Sequence, residues 1–190
     1  MTASPRTEDI SPAVLRQVLD YNPETGEILW KFRDLHWFGG GRNQEQVSGR
    51  WNDKFAGTAA IRSVDGKGYR YGNVLGRKLI AHRVVFALMT GGWPAAQIDH
   101  INHSKSDNRW VNLRPVTQAE NCRNTPRNSS NRSGHSGVWW YTRKKKWQAD
   151  IRVEGKKINL GRFVDISDAV AARSAALIKY GFHANHGAFK

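Results

Sequence analysis

A polar stretch bounded by two short apolar segments constrains the fold of this chain more than any other feature. Residues 97–99 and 113–116 predict two brief strands, and the residues between them are rich in Asp, Asn, Ser and His, as loops are. Thr117 then begins a helix, because Glu120 follows it at the spacing of a capping box. The stretch therefore predicts a strand, a loop, a strand and a helix in succession.

This order of elements gathers four polar side chains. Asp99 and His100 end the first strand, and Asn112 precedes the second. Asn121 falls in the first turn of the helix, where its side chain can point back at the hairpin. We therefore expect the local fold to bring the four side chains together.

The four residue types suit metal-assisted hydrolysis of a phosphodiester. Asp99 and Asn121 offer hard oxygen ligands for a magnesium-like ion that keeps several waters. His100, neutral near pH 7, can take a proton from the attacking water, and the amide oxygen of Asn112 can accept its ring N–H. A structural interpretation also stands, because Asp and Asn are common turn formers; we interpret Asp107-Asn108 as shaping the loop.

The spacing of these residues resembles the His-Asn-His (HNH) endonuclease motif. Asn112 follows His100 by twelve positions and Asn121 follows Asn112 by nine, and the resemblance covers about residues 68–124. Asparagine in the last position is similar to phage and intron-encoded members of homing type. The resemblance implies a ββα-metal fold in which His100 is the general base and Asn112 orients it. It also implies one divalent ion, Mg²⁺ or Mn²⁺, on Asp99 and Asn121.

The charge balance indicates the kind of partner. Thirty Lys and Arg against sixteen Asp and Glu give a net charge of +14, which points first to nucleic acid and second to an anionic membrane surface. No apolar run approaches the roughly eighteen residues of a membrane span, and no signal peptide is evident. The single cysteine excludes an internal disulfide framework. We therefore expect a cytoplasmic protein, in a phage-infected or host bacterial cell if the resemblance holds.

The positive charge is concentrated in the C-terminal half. Residues 1–35 hold four Lys and Arg against six Asp and Glu, whereas residues 120–162 hold eleven against three. Three alternating segments, 137–141, 146–153 and 156–163, predict strands, and Ser167 is expected to cap an alanine-rich closing helix. The sequence therefore predicts a basic three-stranded sheet packed on one helix.

This segment resembles the Apetala-two/ethylene-response-factor DNA-binding domain over about residues 132–187. Trp139 and Tyr141 stand where the plant proteins usually have arginines. Strand alternation turns one of Trp139 and Trp140 inward, without indicating which. The resemblance implies double-stranded DNA as the partner, and the candidate DNA contacts along the chain are Arg83, Arg114, Arg123, Arg143, Lys145, Trp147, Arg152 and Lys157.

The remaining segments complete an α+β prediction. A short helix begins at residues 11–12, a turn follows at 21–30, and residues 34–50 are predicted to be a loop. Short β-segments over 49–80 and a helix over 81–90, ended by Gly91, come next. Residues 1–9 are predicted to be disordered.

The predicted fold is a ββα-metal nuclease core preceded by a small β-rich region and followed by a three-stranded antiparallel sheet on one helix. An N-terminal helix and hairpin region is predicted over residues 1–48, and the HNH nuclease domain over 49–124, with its core at about 96–124. A linker over 125–136 and the Apetala-two-like domain over 137–190 follow.

Our hypothesis from the sequence is a metal-dependent DNA endonuclease held on its target by the C-terminal sheet. The rivals are a non-catalytic DNA-binding regulator and an RNA-binding or RNA-cleaving protein, because exposed aromatic and basic residues also serve RNA. No obligatory protein partner is evident. A monomer with one site would nick the duplex, whereas a homodimer could cut both strands, and no motif decides between them.

Overall fold

Helices and strands of the N-terminal part form where the local sequence indicates them. The computed structural model describes residues 10–124, 127–128, 130–184 and 186–187, without the side chains of residues 119, 122 and 123. Helix α1 (Pro12–Val18) is capped by the Ser11 side chain, which accepts from the Val14 N–H. Strands β1 (Leu19–Tyr21) and β2 (Ile28–Trp30) follow as an antiparallel hairpin.

The loop predicted over residues 34–50 is wrong in its second half. Helix α2 (Gln44–Phe55) occupies that part and crosses the predicted domain boundary after residue 48. Its buried residues, Ser48 and Asn52, are polar, and only Val47, Trp51 and Phe55 follow the four-residue spacing of an apolar helix face. Asn52 accepts from the Arg33 N–H and donates to the Arg33 carbonyl, both over 2.9 Å. The helix is held both by these polar contacts with Arg33 and by the ring of Trp51, which contacts the rings of Trp30 and Phe38.

Of the β-segments predicted over residues 49–80, residues 49–55 are helical, while the strands after them and the helix predicted over 81–90 are confirmed. Strands β3 (Ser63–Val64), β4 (Arg70–Val74) and β5 (Arg77–Ile80) form an antiparallel sheet in that order. Helix α3 (Ala81–Thr90) ends at Gly91, whose φ of 80° is the left-handed conformation that glycine adopts without strain. Apolar residues of α1, α3 and the strands share one core.

The central stretch folds in the predicted order. Strands β6 (Gln97–His100) and β7 (Leu113–Val116) form a two-stranded sheet, and a 3-10 turn at Trp110–Asn112 leads into β7. Helix α4 (Gln118–Arg123) begins after Thr117 with a complete capping box: Glu120 donates its N–H to the Thr117 hydroxyl and accepts from the Thr117 N–H. The predicted strand, loop, strand and helix are all present.

The C-terminal segment forms the predicted meander and helix. Strands β8 (Val138–Tyr141), β9 (Lys146–Val153) and β10 (Lys156–Phe163) are antiparallel in the order β10-β9-β8. Helix α5 (Ile166–Lys179) packs on the sheet. The predicted cap is wrong, because Asp165 is the N-cap residue and Ser167 lies inside the helix. Ile166 is drawn into the first turn since its side chain packs against the apolar cluster.

Contacts between residues divide the chain into two units. The first comprises residues 1–100 and 104–115, and the second comprises residues 101–103 and 116–190. Each has an apolar core of its own. The linker and domain boundaries drawn from the sequence stay predictions, and residues 125, 126 and 129 of that linker lie outside the described part of the chain. So do residues 1–9, for which disorder was predicted.

Candidate active site

The buried polar side chains of the central hairpin include Asp99, His100, Asn108 and Asn112. Strand β6 supplies the first two, and the 3-10 turn before β7 supplies the last. Burying a polar group is costly unless it is hydrogen-bonded, so such a cluster requires a loop held in one conformation. Asn108, interpreted from the sequence as a turn former, is only 2% exposed and belongs to the interior of the site.

His100 faces the amide of Asn108. Its Nε2 atom lies 3.5 Å from Asn108 Oδ1. The Asn108 Nδ2 atom donates to the Ser106 carbonyl over 3.1 Å, and this bond sets the orientation of the amide because a carbonyl can only accept. An acceptor opposite Nε2 favours the imidazole tautomer protonated there. In that tautomer Nδ1 of His100 carries the lone pair.

Two more rings lie against the ring of His100. His82 of α3 meets it edge to face, with 5.2 Å between ring centroids, and the Tyr69 ring lies 5.9 Å away. The Nδ1 atom of His82 is buried without a hydrogen-bond partner. Burial, with a smaller contribution from His100 beside it, lowers the pKa of His82 to about 3. His82 is therefore neutral near pH 7.

Burial also lowers the pKa of His100. The Asn108 amide and the carboxylates of Asp99 and Asp107 act in the opposite direction, because they stabilise an imidazolium, but burial outweighs them. The neutral form is therefore favoured near pH 7. A neutral imidazole is the form that can accept a proton as a general base.

Asp99 is ion-paired with Arg114. The arginine donates from Nε and Nη2 to one carboxylate oxygen, Oδ2, over 3.1 and 2.9 Å. Charge-assisted bonds of this kind hold a carboxylate in a fixed orientation. Arg114 thus contacts the predicted metal ligand, and its predicted contact with DNA stays a prediction. The sequence did not predict this pair, because it joins two different strands.

Asn112 closes the loop between β6 and β7 with a hydrogen bond to its backbone. Its Nδ2 atom donates to the Asp107 carbonyl over 2.8 Å. The Asp107 carboxylate in turn accepts from Nε and Nη2 of Arg109 over 2.9 and 2.7 Å. The role predicted for Asn112, orienting His100 through its amide oxygen, stays a prediction, whereas Asn108 faces the His100 ring directly. The Asp-Asn-Arg sequence at 107–109 is the one signal that could have identified Asn108.

The last predicted ligand, Asn121, lies in the second unit. It is half-buried in α4, and its N–H donates to the Thr117 carbonyl over 2.9 Å. In the same unit His103 Nε2 lies 2.9 Å from Asn124 Oδ1, a buried contact that the sequence did not predict. The pairing of Asn121 with Asp99 stays a prediction.

The predicted donor set can be compared with the chemistry of hard cations. Among the described residues, no group of three or more His, Cys, Asp and Glu side chains could hold a metal ion. Mg²⁺ does not require such a group, because it keeps several waters and shares its coordination with a substrate phosphate. Carboxylate and amide oxygens, the donor types predicted from the sequence, suit an ion of this kind.

The comparisons with known proteins bear on this same segment. A model of the HNH endonuclease family matches residues 80–123. Over these residues the chain is similar to HNH endonucleases. The HNH segment contains α3, the β6–β7 hairpin and α4, and the resemblance seen in the sequence is confirmed over this range. No curated protein and no solved structure matches the chain significantly.

The register of the C-terminal sheet decides which tryptophan lies on the side of the sheet away from α5. Val138 is paired with Ala149, and both are buried on the side of α5. Trp139 therefore points to the other side. Trp140 is paired with Trp147 on the helix side, with 5.3 Å between their ring centroids. Trp147 packs against the apolar cluster, and its contact with DNA stays a prediction.

The side of the sheet away from α5, which we call the outer face, is basic and aromatic. By register it carries Trp139, Tyr141, Lys146, Gln148, Asp150, Arg152, Lys157, Asn159 and Arg162. Lys157 Nζ lies 4.5 Å from the Trp139 ring centroid, and the Arg162 guanidinium lies 4.6 Å from that of Tyr141. Arg152 and Lys157 are direct cross-strand partners, an arrangement of like charges that an anion would stabilise.

The other residues predicted to contact DNA lie outside the strands of the outer face. Arg83 Nη2 donates to the Pro94 carbonyl over 3.1 Å and so supports the turn that leads into β6. Arg143 and Lys145 are exposed between β8 and β9. Arg123 ends α4, but its side chain lies outside the described part of the chain. Within the described residues, no helix is long and apolar enough to cross a membrane.

Proposed function

We propose that this protein is a metal-dependent DNA endonuclease whose HNH segment cuts the phosphodiester backbone. The observation that carries the proposal is the neutral, buried His100, whose Nε2 faces Asn108 inside a segment that matches the HNH endonuclease family. A lone pair on Nδ1 in a preorganised polar site is what a general base requires.

His100 performs the proton transfer. Its Nδ1 atom takes a proton from a water molecule, the water oxygen bonds to phosphorus, and the bond from phosphorus to the leaving oxygen breaks. The imidazolium that forms is stabilised by Asn108 Oδ1 and by the carboxylate of Asp99, since both raise the pKa of His100. General base catalysis of this kind contributes about 10²–10⁴-fold.

Asp99 and Asn121 would hold the divalent ion, Mg²⁺ or Mn²⁺. When bound, such an ion supplies charge stabilisation at the scissile phosphate and at the leaving oxygen. Arg114 keeps the Asp99 carboxylate oriented through its two bonds to Oδ2. Asn112 holds the loop closed through the Asp107 carbonyl.

The outer face would hold double-stranded DNA. Lysine and arginine side chains contact phosphates or guanine edges, and aromatic rings pack on sugars and thymine methyls. The likeness to Apetala-two domains and to phage enzymes of homing type motivates this part of the proposal. A monomer would nick the duplex and a homodimer would cut both strands, and mapping the cleaved ends on a labelled duplex distinguishes the two.

Plasmid cleavage with Mg²⁺ tests the assignment of His100. We expect His100→Ala to slow cleavage by about 100-fold or more, because the general base is lost. His36→Ala is the matched control: His36 is exposed in the same unit, and its loss should leave the rate within about twofold. Chelation of the metal should abolish cutting by the wild type. Undiminished cutting by His100→Ala would remove His100 from the mechanism.

A second candidate is a DNA-binding regulator that does not cut. The outer face favours it, because a basic and aromatic sheet binds nucleic acid whether or not the hairpin is catalytic. Duplex binding without metal-dependent cleavage would select this candidate. Competition between duplex DNA and RNA at fixed salt would identify an RNA-binding protein instead.

A further inference from the structure

The turn between β1 and β2 is closed by its own polar side chain. Asn22 Oδ1 accepts from the N–H groups of Glu24 and Thr25 over 2.9 and 3.2 Å. The Gly26 N–H donates to the Asn22 carbonyl over 2.9 Å, and the Asn22 N–H donates to the Glu27 carbonyl over 3.0 Å. An asparagine that binds its own backbone in this way holds a turn in one conformation.

The same turn contacts the loop that carries Asn108. The Tyr21 hydroxyl donates to the Asn108 carbonyl over 2.8 Å, and the Trp110 N–H donates to the Pro23 carbonyl over 3.1 Å. A Cβ atom on Gly26 would lie 2.6 Å from the backbone nitrogen of Arg109, so no side chain fits there. Three contacts within the first unit therefore fix residues 108–110 from one side.

The Tyr21 hydroxyl remains a donor over a wide pH range. Burial, followed by the negative charge of Asp107, raises its pKa to about 12. Tyr21 and Gly26 lie outside residues 80–123, the range that matches the HNH endonuclease family. Their contacts therefore extend the candidate site beyond the matched segment.

We propose that Tyr21 and Gly26 are positioning residues for the general base His100. The β1–β2 turn fixes the backbone of Asn108, which carries the side-chain amide; this amide, oriented by its bond to the Ser106 carbonyl, faces Nε2 of His100. A displacement of about 1 Å in such a chain can cost on the order of 100-fold in rate. The inference rests on the proposed nuclease function, and the experiments below separate the two.

Gly26→Ala and Gly76→Ala form the first matched pair. Both glycines have a φ of 77°, so alanine meets the same backbone strain at each, but a Cβ at Gly76 has no atom within 4 Å. Only Gly26→Ala adds a collision with the loop. We expect kcat for plasmid cleavage to fall by about tenfold or more in Gly26→Ala and to change within about twofold in Gly76→Ala. Equal kcat values in the two folded variants would overturn the proposal.

Tyr21→Phe and Tyr71→Phe form the second matched pair. Each removes only a hydroxyl group, so this pair provides the test if Gly26→Ala does not fold. Tyr71 lies on β4 in the same unit. Removal of the Tyr21 hydroxyl should lower kcat by about fivefold, the value of one hydrogen bond, with KM within about twofold. A lower melting temperature with unchanged kcat would show a structural role alone and overturn the proposal.

Backbone amide spectra test the positioning role of the turn independently of the proposed nuclease function. The ¹H–¹⁵N signals of residues 108–110 should shift in Tyr21→Phe and remain in place in Tyr71→Phe. If the wild type cuts no DNA, the proposed function fails, yet these spectra still report on the contact between the turn and the loop. Signals that respond equally in the two variants would overturn the positioning role whether or not DNA is cut.

Discussion

Two buried imidazoles share the space beside the hairpin. The rings of His82 and His100 meet edge to face, and burial lowers the pKa of each. A second positive charge in that space would be poorly solvated and would repel the first, so both rings are neutral in the folded state at neutral pH. The unfolded chain has no such restriction. Protonation therefore favours unfolding as the pH falls.

We expect the free energy of unfolding to decrease on acidification because of His82. Its pKa is about 3 in the folded state against 6.5 for an ordinary histidine, so the unfolded chain binds the proton first. The contribution of His82 to the free energy of unfolding is fully present above the unfolded pKa of 6.5. It is lost as the pH falls toward 3. The loss approaches about 1.4 kcal/mol per pH unit for one group.

His82→Phe should flatten this dependence, because phenylalanine keeps the ring contacts and binds no proton. Urea unfolding at several pH values between neutrality and pH 4 measures the slope for the variant and the wild type. The remaining slope is expected from His100 and other groups. Parallel curves for the two proteins would contradict the assignment to His82.

The C-terminal sheet separates its two sides by strand alternation. Its inner side is apolar and contacts α5, while its outer face pairs Arg152 with Lys157 directly across two strands. Asp150 lies next to them and forms an ion pair with Lys157. One carboxylate beside several cations leaves a surplus of positive charge that suits a polyanion.

We expect the double variant Arg152→Gln, Lys157→Gln to weaken duplex binding and to reduce its dependence on salt. Each lost phosphate contact lowers the slope of log K against log salt by about 0.9, so a loss of two contacts lowers it by about 2. Anisotropy titrations between about 50 and 200 mM salt measure the slope. Lys179→Gln, an exposed site on α5, is the control. Equal slopes for both proteins would exclude the outer face as the DNA-binding surface.

The whole chain combines a candidate cutting site and a candidate binding surface in different units. His100, Asn108 and the turn that contacts Asn108 belong to the first unit, and the outer face belongs to the second. The two activities are therefore expected to be separable by mutation.

We expect deletion of residues 132–190 to weaken target binding and its salt dependence more than it changes the cleavage rate at saturating DNA. The reason is that the outer face is removed while the His100–Asn108 contact is retained. Full-length His100→Ala should show the reverse, with binding retained and cleavage lost. Normal target affinity in the truncated protein would count against the binding role of the sheet.

Several features follow directly from local sequence. The capping box at Thr117, the glycine that ends α3 and the three C-terminal strands are confirmed, because each depends on residues a few positions apart. The HNH spacing likewise lies within one short segment, which the family model matches. Helix α2 was missed because its buried residues, Ser48 and Asn52, are polar and are fixed by a distant segment.

The sequence by itself determined the order of the elements at the hairpin and the residue types of the candidate site. Only the tertiary structure decided which amide faces His100, that Arg114 pairs with Asp99, and that Trp139 rather than Trp140 lies on the outer face. The physical reason is that burial and hydrogen bonding depend on residues that are far apart in the chain. The Tyr21 hydroxyl and the Asn108 carbonyl, 87 positions apart, meet only when the first unit is folded.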